Sequence, residues 1–102
     1  MKLSEMTTYE CAKALTHDDF ASWTRRGAFA LVEYLEQMEE DCGTSIEFDP
    51  VALRCEFSEY DTAIEAAQAY TSEFTTEEAA LEYLEDHTTV INHANGIIIQ
   101  DF

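Results

Sequence analysis

Basic residues are what this sequence has least of. Its 102 residues carry five Lys and Arg against 22 Asp and Glu, a formal net charge of −17. That deficit excludes two classes of ligand. Nucleic-acid binding works by neutralising phosphates with Lys and Arg, and anionic membrane surfaces attract basic segments. Direct contact with nucleic acid or membrane is therefore not expected. No apolar run approaches the roughly 20 residues of a spanning helix. The opening MKLSEMTTYECAK has no apolar signal core, so a cytoplasmic location is expected. Gly and Pro are scarce, at three and one. There is no Gly-rich phosphate loop, no nucleophile elbow, no linker and no repeat. Cys11, Cys42 and Cys55 are odd in number and far apart, which excludes a disulfide framework and suggests reduced thiols. Each falls on an apolar face of an expected element and reads as a small buried hydrophobe. His17, His87 and His93 share no metal spacing, and His87 and His93 read as surface or cap residues. The segment EEDCGTSIEFD has acids and a Gly, but not the alternating ligands of a calcium loop. No cofactor, metal or catalytic residue is expected, and the chain does not read as an enzyme.

What is present suffices for a fold. Hydrophobic residues make up 46% and aromatics 12%, too much for disorder. The length suits a single domain over 1–102, able to bury roughly 60–70% of its unfolded surface.

The sparse punctuation places the elements. Thr7 and Glu10 form a capping box before a helix over 8–15. Thr16 and Asp19 open a turn through Phe20 and Trp23. Thr24 caps a long helix over 25–42, with Ala28, Leu31, Val32, Leu35, Met38 and Cys42 on one face and Gly43 as C-cap. Glu33, Glu36, Gln37 and Glu40 take the other face. In IEFDPVALRCEF, alternation of Ile46, Phe48, Val51, Leu53, Cys55 and Phe57 predicts a strand over 51–57 starting at Pro50. SEYD then turns the chain, and Asp61 caps a helix over 62–70. Thr75 and Glu78 open another over 76–86, with Ala80, Leu81 and Leu84 inward. Asn95-Gly96 between β-branched runs predicts a closing hairpin. The expected class is α+β: a small three-stranded, mostly antiparallel sheet with helices packed on one face, in the order ααβααββ. Val90-Ile91 and Ile97-Ile98-Ile99 exceed strict alternation. Part of the second sheet face is therefore expected to be covered, by a helix or another subunit.

The charge is uneven. Residues 1–26 hold four bases and four acids, whereas residues 27–102 hold eighteen acids and only Arg54. On the long helix, Glu33, Glu36 and Glu40 stand three and four residues apart, with Glu39 and Asp41 beside them. Glu78, Glu82 and Glu85 repeat the pattern on the later helix. Such neighbours lie roughly 5–6 Å apart and cost a few tenths of a kcal/mol per like-charge pair. The pitch is comparable to the ~6–7 Å between successive phosphates of a DNA strand. A net charge of about −2 to −8 suffices for solubility, so the excess asks for a basic partner.

One resemblance adds to this. GAFALVEYLEQMEEDCGTSIEFDPVALRCEFSEYDTAIEAA, with TTVI and GIIIQDF at the end, resembles a family of small acidic proteins carried by phages and prophages. Their pattern resembles LxEYLExxEEDTG, IEFDxxAxxCEFSEY and IIQxF, here over Leu31–Gly43, Ile46–Tyr60 and Ile98–Phe102, with Cys42 in place of Thr. The first 26 residues lie outside the match. The resemblance implies a phage context but no activity. Small acidic phage proteins often resemble antirestriction and anti-CRISPR factors that mimic DNA. Two readings follow. In the first, the chain is a phage-derived inhibitor whose acids (Glu33, Glu36, Glu39, Glu40, Asp41, Glu78, Glu82 and Glu85, with Tyr60 as an aromatic anchor) occupy a basic nucleic-acid-binding surface of a host defence complex. In the second, it is a phage adaptor that binds through apolar residues such as Ile98, Tyr60 or Phe102, the acids serving solubility. A homodimer through the Ile-rich sheet is compatible with both.

Overall fold

Threonine opens four of the helices. Thr7, Thr24, Thr62 and Thr76 each lie in extended backbone and accept, through the side chain, the N–H of the third residue on. This satisfies donors that a helix N-terminus otherwise leaves orphaned. The computed structural model describes residues 2–18, 21, 23–71, 74–94 and 96–102. In chain order they form α1 (Thr8–Thr16), α2 (Arg25–Cys42), α3 (Pro50–Glu56), β1 (Phe57–Tyr60), α4 (Ala63–Gln68), α5 (Glu77–His87), β2 (Val90–His93) and β3 (Gly96–Gln100). A short 3-10 turn over Leu3–Glu5 precedes them. The α+β class, the antiparallel three-stranded sheet and the order ααβααββ stand, with α3 as one extra helix before the first strand.

Helix α1 carries the expected capping box. The Thr7 N–H donates to Glu10 Oε1 at 3.0 Å. That bond, helped by the Thr7 hydroxyl, holds the Glu10 carboxyl below the usual glutamate value. Helix α2 keeps its expected bounds. It ends at Gly43, whose φ of 67° suits the left-handed C-cap that Gly adopts without strain. Two caps sit one residue beyond their expected place: Thr62 rather than Asp61 opens α4, and Thr76 rather than Thr75 opens α5. The Asp19–Phe20 turn and Asn95 lie outside the described residues.

The strand expected over 51–57 is a helix. Asp49 Oδ1 accepts the N–H groups of Val51 and Ala52 at 3.1 and 3.2 Å. Pro50 takes the first helical position, where its fixed φ and missing N–H do no harm. Within α3 only Leu53 is buried, while Val51 and Cys55 are exposed. The two-residue alternation was a coincidence of seven residues. The strand comes next, in the segment read as a turn: Ser58, Glu59 and Tyr60 of β1 pair with Ile99, Ile98 and Ile97. Cys42 is also exposed, and of the three cysteines only Cys11 is buried.

Strand β3 lies between β1 and β2, and its isoleucines divide the core. Ile98 joins Cys11, Leu15, Leu31, Val32, Phe57 and Ile91 under α1 and α2. Ile97 and Ile99 point the other way, onto Ala63, Ala66 and Ala67 of α4 and Ala80 and Leu84 of α5. Helices therefore pack on both faces rather than one, and the second face is covered by α4 and α5. This is why the isoleucine run outlasts a two-residue alternation.

Glu59 ties the two ends of this arrangement together. On β1 it shares the Ile98 face and reaches the start of α2. Its carboxylate accepts the Thr24 N–H at 2.8 Å and the Thr24 hydroxyl at 2.6 Å. His93 Nε2 of β2 lies 2.8 Å from Oε2, the oxygen that also accepts the Thr24 hydroxyl, with side chains only 5% (His93) and 10% (Glu59) exposed. His93 is therefore an interior residue, not the surface or cap residue expected. His87 does cap, its Nδ1 lying 2.8 Å from the Tyr83 carbonyl. A Cβ at residue 27 would overlap the Glu59 carboxylate, so Gly27 is the space in which that carboxylate sits. Gly27→Ala is expected to lower stability by roughly 1–3 kcal/mol, with about 4–8 °C of Tm lost per kcal/mol. An unchanged melting temperature would contradict the seating of Glu59 on α2.

Candidate acidic interaction surface

The acids of α2 divide into those the fold uses and those it does not. Glu36 accepts the Thr8 hydroxyl at 2.8 and 3.0 Å, tying α2 to α1. Glu39 accepts the Ile46 N–H at 2.7 Å and holds the chain that leaves the helix. Both are partly buried. Glu33 and Glu40 are exposed and make no hydrogen bond among the described residues. Asp41 is exposed and accepts only from Gln37, one turn back, at 3.0 Å.

Position along α2 also matters. Glu33 lines an open cleft of about 550 Å³ together with Arg25, Arg26 and Phe29, so its surroundings are of mixed sign. The uniformly acidic place is the C-terminal end. There Glu36, Glu39 and Glu40 line a shallow depression of about 370 Å³ with Gly43, Thr44 and Ser45. The last turn carries no base, and the helix dipole adds its negative end to the carboxylates. The field reaches inward: burial, followed by the charges of Glu36, Glu10 and Glu39, pushes the Cys11 thiol above its usual value. That buried thiol stays protonated and unreactive.

The α5 row is separate. Glu78, Glu82 and Glu85 are exposed, while Glu77 beside them serves the fold by accepting the Ala63 and Ile64 N–H groups at the start of α4. Helix α2 covers the Ile98 face and α5 packs in the cluster of the Ile97 and Ile99 face. The two rows therefore stand on opposite sides of the sheet, and one flat partner surface does not reach both. The expected aromatic anchor is not free either. Tyr60 is partly buried in the second cluster, and burial, Tyr70 and Asp101 push its hydroxyl up. Ile98 is wholly buried and excluded as a contact. Exposed aromatic surface lies instead at Tyr9 on α1, 54% exposed, and at Tyr70 (38%) and Phe102 (46%), which stack with centroids 4.1 Å apart. Sequence reading missed Glu59 and the internal roles of Glu36, Glu39 and Glu77. The one available signal was the Thr at each helix start, beside which an acceptor has donors to meet.

Among the described residues no group of three His, Cys, Asp or Glu side chains is placed to hold a metal ion, and no helix is long and apolar enough to cross a membrane. Comparison with protein-family models, curated proteins and solved structures gives no match.

The unpaired acids repel one another across a small body. Raising NaCl from about 0.01 to about 0.15 M shortens the screening length from ~30 to ~8 Å and is expected to raise the melting temperature. Glu40→Gln should be neutral or stabilising. Glu36→Gln, which weakens the Thr8 bond, should cost roughly 0.5–1.5 kcal/mol in urea unfolding. Equal effects of the two substitutions would contradict the division.

Proposed function

We propose that the protein is a phage-borne inhibitor that occupies a basic nucleic-acid-binding surface of a host defence complex, acting by charge and shape without catalysis. The supporting observation is the C-terminal half of α2. A rigid helix there presents four carboxylates, Glu36, Glu39, Glu40 and Asp41, with no Lys or Arg among them and the negative end of the dipole behind them. Two of the four are held in place by bonds to Thr8 and to the Ile46 N–H, so part of the charge is pre-organised, which reduces the ordering cost of binding. Complementary fields of this kind speed encounter and fix register. Glu33 is a rim contact, and the α5 row contributes long-range attraction instead of direct contact with the same groove.

The test is capture from host lysate on the tagged protein, washed at low and at high salt, with duplex DNA as competitor. A nucleic-acid-binding protein released by salt and by DNA is expected. The variant Glu33→Gln, Glu40→Gln, Asp41→Asn removes three charges that no other part of the fold needs. It should weaken that complex about tenfold or more, which corresponds to at least ~1.4 kcal/mol. A partner that survives high salt, ignores DNA, tolerates the triple variant and is lost with Tyr70→Ala or Phe102→Ala would overturn this reading in favour of an apolar adaptor.

A further inference from the structure

The molecule also has a place of the opposite sign. Between α1 and the start of α2 lies a cavity of about 300 Å³ walled by Tyr9, Lys13, Trp23, Arg25 and Phe29. On a chain with 22 acids, no carboxylate lines it among the described residues. Its cations are not neutralised from within. Arg54 is engaged by Asp18 at 3.1 Å. By contrast, Lys13, Arg25 and the adjoining Arg26 have no carboxylate within ion-pairing distance among the described residues. Four of the five bases have no ion pair among the described residues, and three of these four, Lys13, Arg25 and Arg26, cluster at this cleft or its rim, away from Lys2.

The walls are flat as well as cationic. The Tyr9 and Phe29 rings are in contact, with centroids 6.4 Å apart, and Lys13 Nζ stands 6.0 Å from the Tyr9 centroid. Tyr9 is more than half exposed, so it is a surface ring beside a cation and not a core residue. The indole Nε1 of Trp23 is buried without a hydrogen-bond partner among the described residues, so the polar groups that the cavity itself offers are those of Lys13, Thr16, His17 and Arg25. Small-molecule sites combine this kind of apolar, aromatic lining with a few convergent polar groups, in cavities of roughly 300–1,000 Å³. The compact volume suits one ring and one charged group rather than an extended acidic peptide.

The geometry points to a binding site for a small ligand that joins a flat ring to an anionic group, of the nucleoside monophosphate class. The ring stacks against Trp23 and Phe29, and the anion is held by Lys13 and Arg25. This site is independent of the acidic surface on the C-terminal half of α2.

The single Trp of the chain reports on it directly. In a 15N-labelled sample the one indole N–H signal is followed while adenosine 5′-monophosphate, adenosine and inorganic phosphate are added in turn. Saturable movement with the nucleotide is expected at a dissociation constant below about 1 mM, with adenosine and phosphate each about tenfold weaker or more. The variant Lys13→Gln, Arg25→Gln, whose side chains are exposed, should keep its melting temperature and lose about tenfold or more in nucleotide affinity. No saturable movement up to about 10 mM nucleotide, phosphate binding as tightly as the nucleotide, or unchanged affinity in the double variant would each overturn the assignment. Tighter binding of an oligoglutamate peptide at the same signal would overturn it in favour of an acidic protein segment.

Discussion

The structure depends on carboxylates that accept hydrogen bonds from backbone N–H groups near helix starts. With five bases for 22 acids, ion pairing with Lys and Arg has little reach here. The protein uses its own helix N-termini as the positive partners. Glu10 meets Thr7 ahead of α1, Asp49 meets the first turn of α3, Glu59 meets Thr24 ahead of α2, and Glu77 meets the first residues of α4. Each bond satisfies an orphan donor and places negative charge at the positive end of a dipole. Glu59 and Glu77 also join elements distant in sequence, β1 to α2 and α5 to α4, so these bonds contribute to topology as well as to the local cap.

That arrangement divides the acids into two populations. One is bound to backbone or hydroxyl donors and belongs to the fold. The other faces solvent: Glu40, Glu78, Glu82 and Glu85 with no Lys or Arg beside them, and Glu33 in a cleft that it shares with Arg25 and Arg26. The second population, joined on α2 by the partly exposed Glu36 and Glu39, is what a basic partner would read. It gathers at the C-terminal half of α2 and along α5, on opposite sides of the sheet. Three of the unpaired cations, Lys13, Arg25 and Arg26, gather at the other end of α2. The longest helix of the protein thus carries charge of opposite sign at its two ends, and in each case the sign opposes the stabilising arrangement of a helix dipole: basic at the start, acidic at the finish. Stability alone does not select that pattern.

Much of this was legible in the sequence. The bounds of α2 followed from Thr24, Gly43 and a clean three- and four-residue apolar spacing. The isoleucine run over 97–99 signalled that part of the second sheet face is covered, although the helices were expected on one face only. Three things were not legible. Helix α3 was hidden because Val51, Leu53 and Cys55 alternate like a strand, and over seven residues period cannot outweigh the Asp49-Pro50 start signal without knowing which side chains are buried. Glu59 looked like one more acid in SEYD, since a carboxylate facing a core is recognisable only once Thr24, Gly27 and His93 are brought to it by the fold. The acidic site was legible by region and not by residue: spacing alone grouped Glu36 with Glu33 and Glu40, but the Thr8 hydroxyl, 28 positions away, is what assigns it to the fold.

The division of the carboxylates is tested most directly by comparing the unfolding free energies of two charge-matched variants in urea at neutral pH. One replaces the exposed pair Glu40 and Glu82 by Gln, and the other replaces Glu59 and Glu77 by Gln. The first is expected to match or exceed the unmodified protein. The second is expected to lose roughly 2–5 kcal/mol, since each site trades charge-assisted bonds worth about 1.5–3 kcal/mol for weaker neutral ones. Equal stability of the two variants, or a greater loss from the exposed pair, would contradict the account.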